Sequence, residues 1–185
     1  MATISDDNKS IGSDLLADAF HHSNTKIVVN TKSQTLTLYY AGGITKYPIS
    51  TAKNGTGNRI NSECTPLGKH FIVQKIGDGL PINSVFVARQ FTGEIYDDSL
   101  AKQYPNRDWI LTRILRLQGL ECGVNAGVDS DGVCCDSFER FIYIHGTPDS
   151  EMMGMPLSHG CIRMQNVDII QLFACVPIYC PVLIV

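Results

Sequence analysis

The stretch KIVVNTKSQTLTLYYAGGITKYPIS, residues 26–50, restricts the fold more than any other part of the chain. Leu36, Leu38 and Tyr40 recur at every second position, the period of a strand and not of a helix. NTKS and GG interrupt the run where a chain must reverse, so it reads as three strands joined by tight turns. TPLGKHFIVQKIG (65–77) adds a Pro/Gly turn and a further strand. WILTRILRLQGL (109–120) reads as a strand or short helix that returns to the core. In ERFIYIHG (139–146), Phe141, Tyr143 and His145 fall on one face and Ile142 and Ile144 on the other. PVLIV closes the chain as a buried strand.

Helical signals are short. Ile11, Leu15, Leu16, Ala19 and Phe20 give residues 11–22 an amphipathic pattern. Asn166 is placed to cap a helix carrying Val167, Ile170 and Phe173, which Pro177 ends. Strands therefore dominate. Residues 77–108 and 121–138 read as long irregular connections, a length that implies an active-site lid or a disordered excursion.

A chain of 185 residues, 44% hydrophobic and 18% charged, fits one folded domain. The net charge of −3, with no dense run of Lys or Arg, argues against nucleic acid as a partner. No apolar stretch approaches the ~20 residues of a membrane span. MATISDDNKS lacks a basic segment, and IGSDLLADAF is too short and too acidic for a signal-peptide core. The expected location is cytoplasmic, or periplasmic if a leader has been removed. Seven cysteines, an odd number, lean toward a reducing compartment.

Chemistry concentrates in SHGCIRM, residues 158–164. On its residues alone Cys161 has four open roles: nucleophile, metal ligand, half of a disulfide, or a small buried side chain, the last being the default. A thiol near pKa ~8.5 needs a base or a positive environment to act as a nucleophile. The candidate bases are His159 and His145, with His21, His22 and His70 in other contexts. Gly160 implies a sharp turn in which His159 and Cys161 diverge. His145 ends a strand and is followed by Gly146, whose carbonyl can hold the second ring nitrogen. Gly160, lacking a Cβ, lets its own N–H and that of Cys161 turn toward a developing oxyanion.

The remaining thiols say less. Cys122, Cys134 and Cys135 share one loop, but adjacent cysteines chelate one ion poorly, and a disulfide there requires export. GVDSDG (127–132) has Phe138 where a calcium loop needs its twelfth-position glutamate, so it reads as a solvated turn. Cys64 is expected to line the pocket, and Cys175 and Cys180 to sit in the core.

IHGTPDSEMMGMPLSHGCIRM (144–164) resembles the signature of the L,D-transpeptidase (YkuD-type) catalytic domain: a strand-end histidine, a loop, then Ser-His-Gly-Cys, an apolar residue and Asn or Arg. TPLGKHFIV is similar to that family's Thr-Pro-x-Gly-x-Phe strand entry, and LTLYYAGG to its first hairpin. The resemblance covers about residues 26–185. It implies a mainly β, sandwich-like fold with short capping helices, preceded by an N-terminal helical extension over 1–24. Residues 25–185 would form the catalytic domain.

The resemblance also implies roles. Cys161 would be the nucleophile, His145 its base, and the Gly146 carbonyl the group that orients the imidazole. Gly160 and Cys161 N–H groups would form the oxyanion hole. His159 would shape the pocket or contact substrate, Ser158 would fix the loop, and Arg163 would brace the turn or meet a substrate carboxylate. The implied substrate is a peptidoglycan tetrapeptide or muropeptide, cut between the L-centre of a diamino acid and D-alanine through a Cys161 thioester. Water as acceptor gives an L,D-carboxypeptidase of muropeptide recycling, the outcome favoured here because no export signal is evident. A second stem's amine gives an L,D-transpeptidase, and loss of the chemistry gives a peptidoglycan-fragment binding module. Carbapenem-type β-lactams are implied inhibitors, and no metal or cofactor is needed. The chain departs from the pattern in its short loop of 12 residues between His145 and Ser158, and in its long cysteine-bearing segment over 77–138.

Overall fold

The computed structural model describes residues 23–185. The helix predicted over 11–22, with His21 and His22, lies outside the described residues, as does nearly all of the extension assigned to 1–24.

The three predicted strands are present as β1 (Lys26–Asn30), β2 (Thr35–Tyr40) and β3 (Gly43–Pro48). The Asn30 side chain accepts the N–H groups of Lys32 and Ser33 at 3.0 and 2.9 Å, which fixes the first turn. Then come β4 (Gly68–Ile76), β5 (Ser84–Val87), β6 (Gln90–Ile95), α1 (Asp98–Gln103) and β7 (Ile110–Gly119). The chain ends with β8 (Tyr143–Gly146), β9 (Ile162–Met164), α2 (Asn166–Cys175) and β10 (Pro181–Ile184).

The strands form one mixed sheet in which β3, β2, β1, β10, β4 and β7 are successive neighbours. β7 is the hub, paired along one edge by β4 and then β5 and along the other by β8, which in turn pairs with β9. The far ends of the sheet meet. Ser50, just past β3, exchanges two backbone hydrogen bonds with Arg163 of β9, at 3.0 and 2.8 Å. The sheet curls around a single large core to which Ile27, Leu36, Leu38, Ile72, Leu115, Leu117, Ile144, Ile162 and Val182 contribute. The mainly β, sandwich-like expectation holds, with α2 capping the core through Ile169, Leu172 and Phe173.

Several local expectations are corrected. Residues 77–108 are not an irregular connection but a β5–β6 hairpin followed by α1, with Tyr96 and Leu100 packed on Val85, Trp109 and Leu111. The strand expected over 139–146 starts only at Tyr143, because Phe141 lies in the left-handed region at φ 56°. Asn166 does not cap α2. Gln165 takes that position, while the Asn166 side chain is buried and bonds Thr112, Asn83, Thr147 and Asp149. Val167 is exposed and Leu172 takes its place on the buried face. Cys180 is buried as expected, but Cys175 is exposed. The 121–138 segment is tightly folded: Arg59 pairs with both Asp129 and Asp131, and Asn125 donates to the Leu67 carbonyl at 2.9 Å.

His70 in β4 is fully buried, with Nδ1 on the Gly68 carbonyl (3.0 Å) and Nε2 on Ser137 Oγ (2.9 Å). Burial above all lowers its pKa from 6.5 to about 4. The unfolded chain therefore binds a proton between those values that the folded chain refuses. Stability should be complete above pH 6.5 and fall by about 3 kcal/mol as pH drops through 4. Denaturant titrations across that window check this, and a His70→Gln variant should show a flatter profile.

Candidate active site

The site is built on a parallel pairing of only three residue pairs. β8 and β9 align Ile144 with Ile162, His145 with Arg163 and Gly146 with Met164. Ile144 and Ile162 turn into the core, so their neighbours Tyr143, His145, Cys161 and Arg163 share the opposite face. This is how the fold returns Cys161 to His145. A bulge in β7 lies beside them: the β7–β8 register shifts between Leu111 and Ile114, and Thr112 there has a φ of 69°.

Cys161 is half-buried, in contact with the apolar cluster of Phe86, Ile114 and Tyr143. Its Sγ donates to the Phe141 carbonyl at 3.4 Å. Burial pushes the thiol up to about 12, opposed by the Tyr143 backbone N–H and by the charges of Arg163 and Arg140, and reinforced by Asp108. At neutral pH the resting sulfur is a thiol. His145 is buried, and its Nδ1 lies 2.8 Å from the Gly146 carbonyl, the contact anticipated from the sequence. That bond leaves Nε2 as the basic nitrogen. Burial holds the imidazole below the usual histidine range, and Arg163 adds to this, while Asp108 and the Gly146 carbonyl oppose it. Thiol and imidazole are both neutral. They line one cavity, but the thiol's hydrogen bond goes to Phe141 and not to the imidazole.

The turn before β9 is pinned from three sides. Ser158 Oγ donates to the Cys161 carbonyl at 2.6 Å and accepts the Gly160 N–H at 3.3 Å. The Ser158 N–H bonds the Thr51 carbonyl, and Thr65 Oγ1 donates to the Gly160 carbonyl at 2.9 Å. Gly160 has a φ of 131°, a backbone state that side chains resist. Gly146 is glycine for a different reason: a Cβ there would lie 2.5 Å from Asn166 Oδ1 and 2.7 Å from the Leu111 carbonyl.

Arg163 is buried and already paired, with Nη2 on Asp108 Oδ1 at 2.7 Å and Nη1 3.5 Å from Glu151. Of its two anticipated positions, it occupies the one that braces the turn. His159 points outward, its side chain 62% exposed, with Nδ1 3.6 Å from Asp108 Oδ2. The cavity, about 470 Å³, is also lined by Arg89, Asp108, Arg140 and Tyr143, none of which was singled out from the sequence. Asp108 closes the segment 77–108 that reads as an irregular connection, and Arg140 sits in ERFIYIHG, where a charge at the edge of an apolar strand was the available signal. Arg140 is tied to the backbone carbonyls of Gly57, Asn58 and Cys64. Cys64 meets the site only through its backbone, its thiol turning to the Asn54 and Ser62 carbonyls. All seven cysteines are free, and among the described residues no group of three or more His, Cys, Asp or Glu gathers to hold a metal.

The sequence family described as the L,D-transpeptidase catalytic domain (YkuD) matches residues 24–184. No curated protein matches the chain. Among solved structures it is similar to an L,D-transpeptidase from Mycobacterium smegmatis, at 17% identity and a TM-score of 0.50, covering 88% of this chain and 58% of that one. It is also similar to L,D-transpeptidase 3 from Mycobacterium tuberculosis, at 16% identity and a TM-score of 0.53, covering 88% and 61%. A third likeness is to an LD transpeptidase in complex with imipenem, at 19% identity and a TM-score of 0.50, covering 88% and 59%. The chain thus spans about three fifths of the length of these solved chains, and the likeness is one of fold.

Asp108 raises the Cys161 pKa and also holds Arg163. Asp108→Asn removes a negative charge and frees a positive one, and both changes favour thiolate. Alkylation of Cys161 by iodoacetamide at mildly alkaline pH should become several-fold faster, read by mass spectrometry of the labelled peptide.

Proposed function

The chain belongs to the YkuD-type L,D-transpeptidase catalytic-domain family, and from that premise we propose that it is a cysteine acyl-transfer enzyme acting on peptidoglycan tetrapeptide stems. One observation carries the reading: His145, with Nδ1 committed to the Gly146 carbonyl, shares a face and a cavity with the Cys161 thiol.

In this mechanism Cys161 Sγ attacks the carbonyl at the L-centre of the diamino acid, and its proton passes to Nε2 of His145. The Cys161 N–H faces the developing oxyanion. The Gly160 N–H, the other anticipated donor, is bonded to Ser158 Oγ. The Tyr143 N–H and the charges of Arg140 and Arg163 favour negative charge on sulfur as it forms. The tetrahedral species collapses, His145 returns the proton to the amine of D-alanine, and a thioester remains on Cys161. Starting from a neutral thiol and a neutral imidazole, the reacting pair carries charge only while the reaction proceeds, so it bears no desolvation cost of its own at rest.

Water is the acceptor we favour. It can reach a thioester in a cavity of about 470 Å³ that the acyl chain already occupies. His145 then deprotonates it, releasing tripeptide and the free thiol. This is L,D-carboxypeptidase chemistry, suited to recycling of soluble muropeptides in the cytoplasm. An amine acceptor, giving L,D-transpeptidase cross-links, is the alternative. One solved structure similar to this chain is an imipenem complex, and we propose that carbapenems acylate Cys161 here.

Purified protein given a tetrapeptide muropeptide should yield D-alanine and tripeptide by mass spectrometry. Dimers in place of tripeptide would reverse the choice of acceptor, and an intact substrate with an unreactive Cys161 would overturn the enzyme reading. Cys161→Ala should lower turnover by on the order of 1,000-fold or more, and His145→Ala by roughly 100- to 10,000-fold. Because His145 must be neutral and its pKa is lowered, the acid limb of kcat/KM should fall below the ordinary histidine range of about 6.5.

A further inference from the structure

The β5–β6 hairpin turns over two residues, Ala88 and Arg89, between the paired Val87 and Gln90. Both are left-handed, at φ 47° and 68°. A two-residue turn with positive φ at each position is the natural place for Asn-Gly, which makes it without strain. This chain instead spends an arginine there, and left-handed non-glycine residues persist only where their surroundings over-determine them. The surroundings are the Cys161 cavity, which Ala88 and Arg89 both line.

Arg89 differs from the other cations of that cavity. Arg163 is neutralised by Asp108 and Glu151. Arg140 spends its donors on the carbonyls and the Ser62 hydroxyl of the 57–64 segment. Arg89 donates one bond, from Nη1 to Tyr143 Oη at 3.1 Å, and lies over the Phe141 ring at 4.9 Å. Among the described residues it has no carboxylate within ion-pair distance. Its remaining N–H donors form a planar fork suited to a carboxylate, held in place by a phenol and a ring that leave its charge uncompensated. Tyr143 packs in one cluster with Cys161, so the guanidinium it holds stands one side chain from the reacting centre.

We propose that Arg89 is a specificity residue that binds a carboxylate of the acyl-donor peptide. The proposal rests on the acyl-transfer reading of the same site. A tetrapeptide stem offers such carboxylates at its terminal D-alanine and on its internal acidic residues.

The test is binding to the Cys161→Ala protein, where no chemistry intervenes, of three peptides: the tetrapeptide, its C-terminal amide, and its internal carboxamide. The tetrapeptide should bind on the order of 10- to 100-fold more tightly than one of the two amidated forms, which identifies the carboxylate read. Adding Arg89→Asn, which tolerates the left-handed backbone, should erase that preference, and Arg89→Lys should keep part of it. An acid preference that survives Arg89→Asn, or no preference in either protein, overturns the proposal. Turnover of all three peptides by the unmutated protein at equal kcat/KM also overturns it, while leaving the acyl-transfer reading standing. An Arg89-dependent preference in binding without any turnover upholds Arg89 and sinks the enzyme.

Discussion

Three residue pairs of parallel ladder, Ile144–Gly146 against Ile162–Met164, hold the geometry on which the site depends. Strand period makes this register unforgiving. A slip of β9 by one residue along β8 would bring Cys161 and Arg163 toward the core and push Ile162 and Met164 out of it. Ile144 and Ile162 are both fully buried, so the hydrophobic effect that closes the core also sets the pair's alignment. So short a ladder needs support at its ends. Ser50 supplies it on the open edge of β9, and Ser158 does so by tying the turn to the Cys161 carbonyl and to the Thr51 carbonyl.

The electrostatics follow from where that ladder sits. It lies where the two ends of the curled sheet meet, so both reactive groups lose water, and burial pushes the thiol and the imidazole toward their neutral forms. The cations nearest the sulfur oppose this without outweighing burial, and their donors are committed elsewhere: Arg163 to carboxylates, Arg140 to carbonyls. What they provide is a potential that acts when charge appears on sulfur. A thiolate formed permanently at rest would instead have required a largely buried ion pair, with its desolvation cost.

The parts of this molecule legible in the sequence are those governed by period or by a single steric demand. Leu36, Leu38 and Tyr40 declared a strand, and Gly160 a turn at positive φ, because those signals are local. The bond from His145 to Gly146 was legible for the same reason, its partners being adjacent. The phase of α2 was not. Asn166 looks like a cap, but tertiary partners on three other segments outbid the helix N-terminus for its amide. Residues 77–108 hid a hairpin because its turn is Ala-Arg, not the Gly or Asn that announces one. Asp108, Arg89 and Arg140 were invisible as site residues, since their importance arises from contacts spanning more than fifty positions.

Those misses coincide with strain. Ala88, Arg89 and Phe141 are left-handed and line the Cys161 cavity, and Thr112 is left-handed at the bulge beside Gly146. A β-branched residue such as Thr112 resists that conformation most, yet its hydroxyl gains two hydrogen bonds there, accepting the Asn83 N–H and donating to the buried Asn166 Oδ1. Its bulge lets β7 pair with Gly146 on one side of the shift and with His145 on the other. Local sequence rules fail at these positions because the local cost is offset by contacts elsewhere in the fold. At Phe141 the turned backbone directs a carbonyl at the Cys161 thiol and places its ring under the Arg89 guanidinium. A strained residue thereby joins the proposed nucleophile to the cation proposed to select its substrate.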